Sequence, residues 1–161
     1  MVDEPRTGEL SHLDAEGRAH MVDVGAKPVS ARIAVAEAFV TMSAPVRARL
    51  FQGDLPKGDA VSVARIAAIQ GAKRTSDLIP LCHPLPLDAV DVAIEPTETG
   101  ARIEVTARVS AKTGVEMEAI TAAAIGAVTI YDMIKGLDRS AEIGPVRLLS
   151  KSGGKSGDWH R

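Results

Sequence analysis

Aromatic residues are nearly missing from this 161-residue chain: Phe39, Phe51, Tyr131 and Trp159 are all it has. The core must therefore be built from Ala, Val, Ile and Leu, which requires elements that approach one another closely. Cysteine is scarcer still. Cys82 stands alone, so an internal disulfide is impossible. Neither sign of charge is in excess: 19 Lys and Arg against 21 Asp and Glu give a formal net charge of −2, which offers no support for nucleic-acid or membrane binding. No basic start followed by an apolar run marks a signal peptide. No apolar stretch reaches membrane-spanning length without polar interruption. These absences point to a cytoplasmic protein. What is present, 45% hydrophobic residues, fits one globular domain that buries a core without covalent staples.

Residues 1–20 are polar and aperiodic and read as a flexible arm, 21–157 as a single domain and 158–161 as a tail. Residues 32–42 suit a strand, with Ile33 and Val35 on alternate positions. Pro45 can open a short helix that runs to about Phe51 and is broken by Gly53. Asp59 is a plausible N-cap for a helix over roughly 60–74, with Lys73 and Arg74 at its C-terminus where the dipole favours cations. Pro80, Pro84 and Pro86 forbid regular structure across 79–86. Residues 88–95 and 101–110 alternate apolar and polar around a short loop at 96–100, which is a hairpin. A long helical period fills 113–135, and 142–149 forms a last strand. Strand, helices, strand, strand, helix, strand is the α+β split β-α-β, or ferredoxin-like, arrangement, with helices on one face of an antiparallel sheet.

In the long helix the charges sit at the two ends, Glu116 and Glu118 in the first turns, Asp132 and Lys135 in the last. Asp132 and Lys135 are three apart and share one face, as a proton-moving pair or as an ordinary surface ion pair. Glu118 and Asp132 lie 14 residues apart, about 21 Å along a helix axis. One small reacting centre cannot touch both within a single chain. Either they do different jobs, or a site combines one end of this helix with elements of another subunit.

Other motifs carry two readings each. Lys57-Gly58-Asp59 places a lysine at the positive end of a helix dipole, which suits a phosphate, or is a solvated turn. In Leu81-Cys82-His83-Pro84 adjacent side chains of an extended segment point apart, so thiol and imidazole are not a nucleophile–base pair. His83 lies in a loop stiffened by prolines and is the better placed of the two for function. No histidine or cysteine spacing recurs as in a metal site, and no metal is expected. The segment 150–157, Ser-Lys-Ser-Gly-Gly-Lys-Ser-Gly, resembles a phosphate loop but has Leu149 where a Walker A glycine belongs, and no helix can follow it. It is either a frayed tail or a flexible anion wrap.

Taken together the motifs are specific. They are Met-Val-Asp-Val at 21–24, Lys-Gly-Asp at 57–59, and Ala-Lys-Arg-Thr with Ile-Pro-Leu-Cys-His-Pro over 72–84. Lys-Thr-Gly-Val-Glu-Met-Glu-Ala at 112–119, Tyr-Asp-Met-x-Lys at 131–135 and Lys-Ser-Gly-Gly-Lys-Ser-Gly at 151–157 follow. From about Ser11 to Gly157 the chain resembles the MoaC family of molybdenum-cofactor biosynthesis enzymes, the cyclic pyranopterin monophosphate synthases. The resemblance implies a ferredoxin-like fold in a homohexamer, a trimer of dimers, with sites at a subunit interface. It implies a lyase that takes a cyclised dihydroguanosine triphosphate, a purine triphosphate-derived small molecule, to cyclic pyranopterin monophosphate and diphosphate without an organic cofactor. It also implies Asp132, Lys135 and Lys57 as catalytic residues. Arg32, Lys73, Leu81, Cys82, His83, Glu116, Met117, Glu118 and Lys151 would surround the substrate. A triphosphate needs several cations, and Lys57, Lys73, Lys151 and Arg32 are available. An Asp–Lys pair could move protons if neighbouring cations lower the lysine pKa. The competing class is a non-catalytic nucleotide sensor, which needs the anion-binding lysines but not the pair. An RNA-binding domain is disfavoured, because the paired strands lack aromatics on which bases stack.

Overall fold

The computed structural model describes residues 13, 14, 16–155 and 157–161. β1 (Ser30–Thr41) leads to α1 (Ala44–Gln52), α2 (Ala60–Lys73) and the single turn α3 (Thr75–Leu78). β2 (Ala89–Pro96), β3 (Gly100–Ala111), α4 (Glu116–Ile134), β4 (Glu142–Ser152) and β5 (Trp159–His160) complete the chain. The strands lie in the order β2-β3-β1-β4-β5, each antiparallel to its neighbours. The first four strands with α2 and α4 form the expected ferredoxin-like arrangement.

Local chemistry sets the boundaries. A proline occupies the first turn of α1, and Gly53, at φ 74°, takes the left-handed conformation that ends it. The Asp59 carboxylate caps α2 by accepting from the Ser62 N–H at 3.0 Å. At the β2–β3 hairpin the Thr97 N–H donates to Gly100 O at 2.9 Å. A Cβ on Gly100 would collide with the Val40 carbonyl, so only glycine lets β3 start beside β1.

The core is small-residue packing. Ala34, Ala36, Ala38 and Val40 of β1 and Ile103, Val105 and Ala107 of β3 are fully buried beneath Ala119, Ala122, Ala123, Ala127 and Ile130 of α4. Gly126 faces the Ile103 and Ala68 side chains, where even a methyl group would be in tight contact. Two helices and a sheet thus approach as closely as the aromatic-poor composition requires. This also explains α4 itself. Its 19 residues are long and apolar enough to cross a membrane, but 56% of that apolar window is buried inside the fold.

The opposite face of the sheet holds a buried charge. Glu37, only 3% exposed, accepts from Arg102 Nε at 2.6 Å and Arg147 Nε at 2.8 Å. Arg102 also reaches Glu104. Burial pushes the Glu37 carboxyl up, but the two guanidiniums outweigh it and hold the group below its ordinary value.

Several boundaries differ from the sequence reading: β1 starts two residues earlier, at Ser30, and the other strands and helices shift by a residue or more. α4 starts at Glu116 rather than 113, because Thr113–Val115 form the turn into it. The last strand runs on to Ser152. Within the segment read as a tail, Trp159 and His160 pair with Lys151 and Ser150 as β5. Gly153, Gly154 and Gly157, all at positive φ, reverse the chain so that it can return. Of the arm expected over 1–20, residues 1–12 lie outside the described residues. Leu13 and Ala19 form an isolated bridge, closed by the Asp14 carboxylate on the Arg18 N–H at 2.8 Å.

Candidate active site

Ionisable side chains gather at the two ends of α4. At its C-terminal end Asp132 collects two ammonium groups. Lys135, one turn on, places Nζ 2.8 Å from Asp132 Oδ1. Lys57, in the turn before α2, places Nζ 2.9 Å from Asp132 Oδ2 and donates to the Asp132 carbonyl at 2.7 Å. Hydrogen bonds from Lys135 and then Lys57 hold the Asp132 carboxyl down at about 2. In return Asp132 pushes the Lys135 ammonium up. The expectation that neighbouring cations lower the pKa of Lys135 is therefore corrected: the carboxylate beside it wins, because it is in direct hydrogen-bond contact. The cluster sets the Lys57 and Lys135 side-chain nitrogens against one carboxylate, which holds the Lys135 ammonium charged. Asp138 fixes the following loop, accepting from the Ser43 N–H at 2.8 Å and the Ser140 N–H at 3.0 Å.

At the N-terminal end of α4 a cleft of about 280 Å³ is lined by Leu81, Cys82, His83, Glu116, Met117 and Glu118. The proline-rich loop 79–86 lies here because it follows α2, which runs antiparallel to α4: Lys57 meets Asp132 at one end, and Gly71 meets Ile125 nearer the other. His83 Nε2 donates to the Val22 carbonyl at 2.8 Å, which leaves Nδ1 as the ring nitrogen outside that bond. Glu118 is 4% exposed. Burial, reinforced by the nearby Glu116 charge, pushes its carboxyl up to about 7. Burial, with the Glu118 charge, likewise pushes the Cys82 thiol up, which suits a structural rather than a nucleophilic cysteine.

A larger cleft, about 940 Å³, adjoins it and shares Lys27, Thr113, Gly114 and Glu116 with it. Arg32 and Lys151 line this second space. Arg32 is occupied by the backbone: Nε donates to Ala111 O and Nη2 to Lys112 O, both at 3.2 Å, and its guanidinium lies against Gly154. Lys151 Nζ sits 2.9 Å from Glu116 Oε1. Burial pushes the Glu116 carboxyl up, but the Lys151 ammonium outweighs it and holds the group below its ordinary value.

The residues singled out in the sequence thus fall into two groups. Arg32, Leu81, Cys82, His83, Glu116, Met117, Glu118 and Lys151 gather around the two adjoining clefts. Lys57, Asp132 and Lys135 gather at the other end of α4, and Lys73 lines neither cleft. Lys27, Lys112 and Lys155 line the larger cleft and were not singled out, although Lys112 and Lys155 stand inside quoted motifs and Lys27 three residues beyond one. Among the described residues no group of three His, Cys, Asp or Glu is placed to hold a metal ion.

The sequence profile of the MoaC family matches residues 21–154. The chain is 56% identical over 151 residues to the cyclic pyranopterin monophosphate synthase of Corynebacterium efficiens, across 94% of this chain and 97% of that protein. Identity to the enzyme of the same name from Corynebacterium glutamicum is also 56% over 151 residues, with the same coverage. It is 54% over 155 residues to that of Brucella ovis, across 95% of this chain and 94% of that protein. Both charged ends of α4 and every cleft-lining residue but Lys155 lie within the matched span, and the chain belongs to the MoaC family.

Proposed function

We propose that this protein is a cyclic pyranopterin monophosphate synthase, a cytoplasmic lyase of molybdenum-cofactor biosynthesis. It takes a cyclised dihydroguanosine triphosphate to cyclic pyranopterin monophosphate and releases diphosphate. The observation that carries the reading is the convergence of Lys57 on Asp132 and Lys135, across 75 residues of sequence, into one cluster. A plain i,i+3 surface pair would not need the third member.

Closing the cyclic phosphate requires a hydroxyl of the substrate to attack its α-phosphorus. The bond from that phosphorus to the α–β bridging oxygen breaks, and its electron pair leaves with the diphosphate. The attacking hydroxyl gives up a proton, and opening the purine-derived ring by hydrolysis moves others. In this reading the purine-derived ring enters the smaller cleft. There Glu118, protonated up to about pH 7, can donate, and His83 Nδ1 can accept. The Lys57–Asp132–Lys135 cluster supplies ammoniums to the developing negative charge, with Asp132 fixing their positions. Fourteen residues of α4 separate Glu118 from Asp132, a span of roughly 21 Å. A complete site therefore unites the start of α4 in one copy with its end in another, in a homohexamer arranged as a trimer of dimers.

The test is to incubate the purified protein with the cyclised triphosphate and measure diphosphate. Turnover is expected, and Asp132→Asn should lower it by about 10²–10⁴-fold with the fold intact. Tight binding of the triphosphate without diphosphate release would replace the synthase with a nucleotide sensor. Light scattering should give the mass of six chains; a monomer would remove the shared-site reading.

A further inference from the structure

Three carboxylates are buried among the described residues. Glu37 lies between two guanidiniums, and Glu118 opens on the smaller cleft. The third, Asp138, is 8% exposed and forms no ion pair among the described residues. Hydrogen bonds offset its burial instead. Oδ2 accepts from the Ser43 N–H at 2.8 Å, and Oδ1 accepts from the Ser140 N–H at 3.0 Å and the Ser140 hydroxyl at 2.6 Å. The Ser140 hydroxyl and then the Ser43 N–H hold the Asp138 carboxyl down at about 2, so it is a charged acceptor at any ordinary pH.

The Ser140 bonds are local. The Ser43 bond spans 95 residues and joins two segments that the Lys57–Asp132–Lys135 cluster depends on. One is the loop that follows Lys135, bound to the last turn of α4 by the Asp138 N–H on the Ile134 carbonyl at 3.0 Å. The other runs from Ser43 through α1 to Lys57. Ser43 is the N-cap of α1, but its side chain makes no capping bond, and no acidic residue occupies the first turn. Asp138 supplies the missing negative charge at the positive end of that helix. At the far end of α1 the Asp54 N–H donates to the Arg49 carbonyl at 3.0 Å, Leu55 is buried, and the Gly58 N–H donates to the Leu55 carbonyl at 2.9 Å. The turn that carries Lys57 is thus tied to α1. Among the described residues, hydrogen bonds join 43–58 to 131–140 at two places, Ser43 to Asp138 and Lys57 to Asp132. α1 is the bar between them.

We propose that Asp138 is a positioning residue for the Lys57–Asp132–Lys135 cluster: its carboxylate fastens the start of α1 to the loop after α4 and so sets where Lys57 meets Asp132. The consequence for turnover rests on the synthase reading; the placement of Lys57 does not. Lys57 Nζ lies 2.9 Å from the Asp132 carboxylate and 2.7 Å from its carbonyl, and two bonds of that length tolerate little displacement. A shift of about 1 Å at a reacting group costs up to about 10²-fold in rate. Cutting the bridge leaves the clefts at the other end of α4 as they were, so the loss falls on kcat rather than KM.

The experiment cuts the bridge from both sides in the full-length protein. Asp138→Ala removes the acceptor. Ser43→Pro removes the donor at a φ of −63°, which proline adopts. Ser140→Ala removes only the local hydroxyl bond and leaves the bridge whole. With the cyclised triphosphate, Asp138→Ala and Ser43→Pro should each lower kcat about 10–100-fold, with KM within about twofold of the parent. Their double variant should be no slower than the worse single, and Ser140→Ala should match the parent. Acylation of lysines with an N-hydroxysuccinimide ester, read by mass spectrometry, reports on the cluster without turnover. Lys57 should be labelled about threefold or more faster in both bridge variants, as expected for lost hydrogen bonds, and Lys27 at the parent rate. Unchanged kcat or unchanged Lys57 labelling in the folded bridge variants would overturn the proposal, as would an equal loss in Ser140→Ala. Should Asp138→Ala not fold, Asp138→Asn is read in its place, since it fills the same space but has one acceptor oxygen for the two segments. Loss of the fold in every bridge variant would also overturn the proposal, by making Asp138 a residue of the fold alone. A parent that releases no diphosphate defeats the synthase reading instead, and the Lys57 labelling still decides the placement.

Discussion

The two ends of α4 treat a carboxylate in opposite ways. Near the start, Glu118 is sunk to 4% exposure beside Cys82 and His83 and is held protonated up to about pH 7. Near the end, Asp132 stands with its side chain 53% exposed, clasped by Lys57 and Lys135, and is held ionised down to about pH 2. Desolvation dominates the first and direct ion contact the second. One helix therefore presents a neutral hydrogen-bond donor in a cleft and a charged, solvent-facing cluster far from it. In the proposed synthase reading the buried end recognises the substrate and the exposed end supplies charge.

The sharpest way to break this comparison is complementation. Glu118→Gln and Asp132→Asn should each be impaired by about 10²–10⁴-fold as pure proteins. If sites combine opposite ends of α4 from two copies, refolding the two variants together should restore about a quarter of the parent rate, since a two-fold interface returns one intact site per mixed dimer. Mixing without recovery would confine each site to one chain.

A smaller effect concerns Glu118 and stability. Its folded pKa of about 7 lies above its ordinary 4.5. Between those values the native state keeps a proton that the unfolded chain releases, so stability falls as pH rises through that window. Glu118→Gln removes this loss. It should stabilise the protein relative to the parent by about 1–3 kcal/mol at pH 8 and by little at pH 4, read from thermal denaturation at both pH values. A parent with flat stability from pH 4.5 to 7 would show that Glu118 is not desolvated.

The smallest effect sharpens the cleft end. Arg32→Lys keeps the charge but cannot span the Ala111 and Lys112 carbonyls. A loss of about 1–2 kcal/mol in urea denaturation is expected from the freed hydrogen bonds. Unchanged stability would mean that Arg32 is free to serve the ligand.

Much of the fold was legible because it is written locally. The period-2 alternation of 101–110 appears as the inward face of β3, and Asp59 caps α2 as its position suggested. The ferredoxin-like order followed from counting elements. The clefts were partly legible through motifs that fold onto one another. What could not be read depends on distant contacts. Nothing in Lys57-Gly58-Asp59 says that its ammonium meets Asp132 75 residues later. The apolar run of 32–42 hides Glu37, whose partners Arg102 and Arg147 come from other strands. β5 escaped because its two residues have meaning only against Lys151 and Ser150.

The alanine-built layer between β1 and α4 has a consequence for how this protein tolerates mutation. Most cores fail when a large side chain is cut down and leaves a hole. Here Ala34, Ala36, Ala38, Ala119, Ala122, Ala123 and Ala127 are already near the minimum size and fully enclosed, so there is little to remove and no room to add. A saturation scan of these positions should show the reverse of the usual profile. Glycine should be the mildest replacement, and each added methylene should push helix and sheet apart. The spacing that brings both ends of α4 to their working positions is thus guarded by crowding, and sequence drift in this layer is held to the smallest residues.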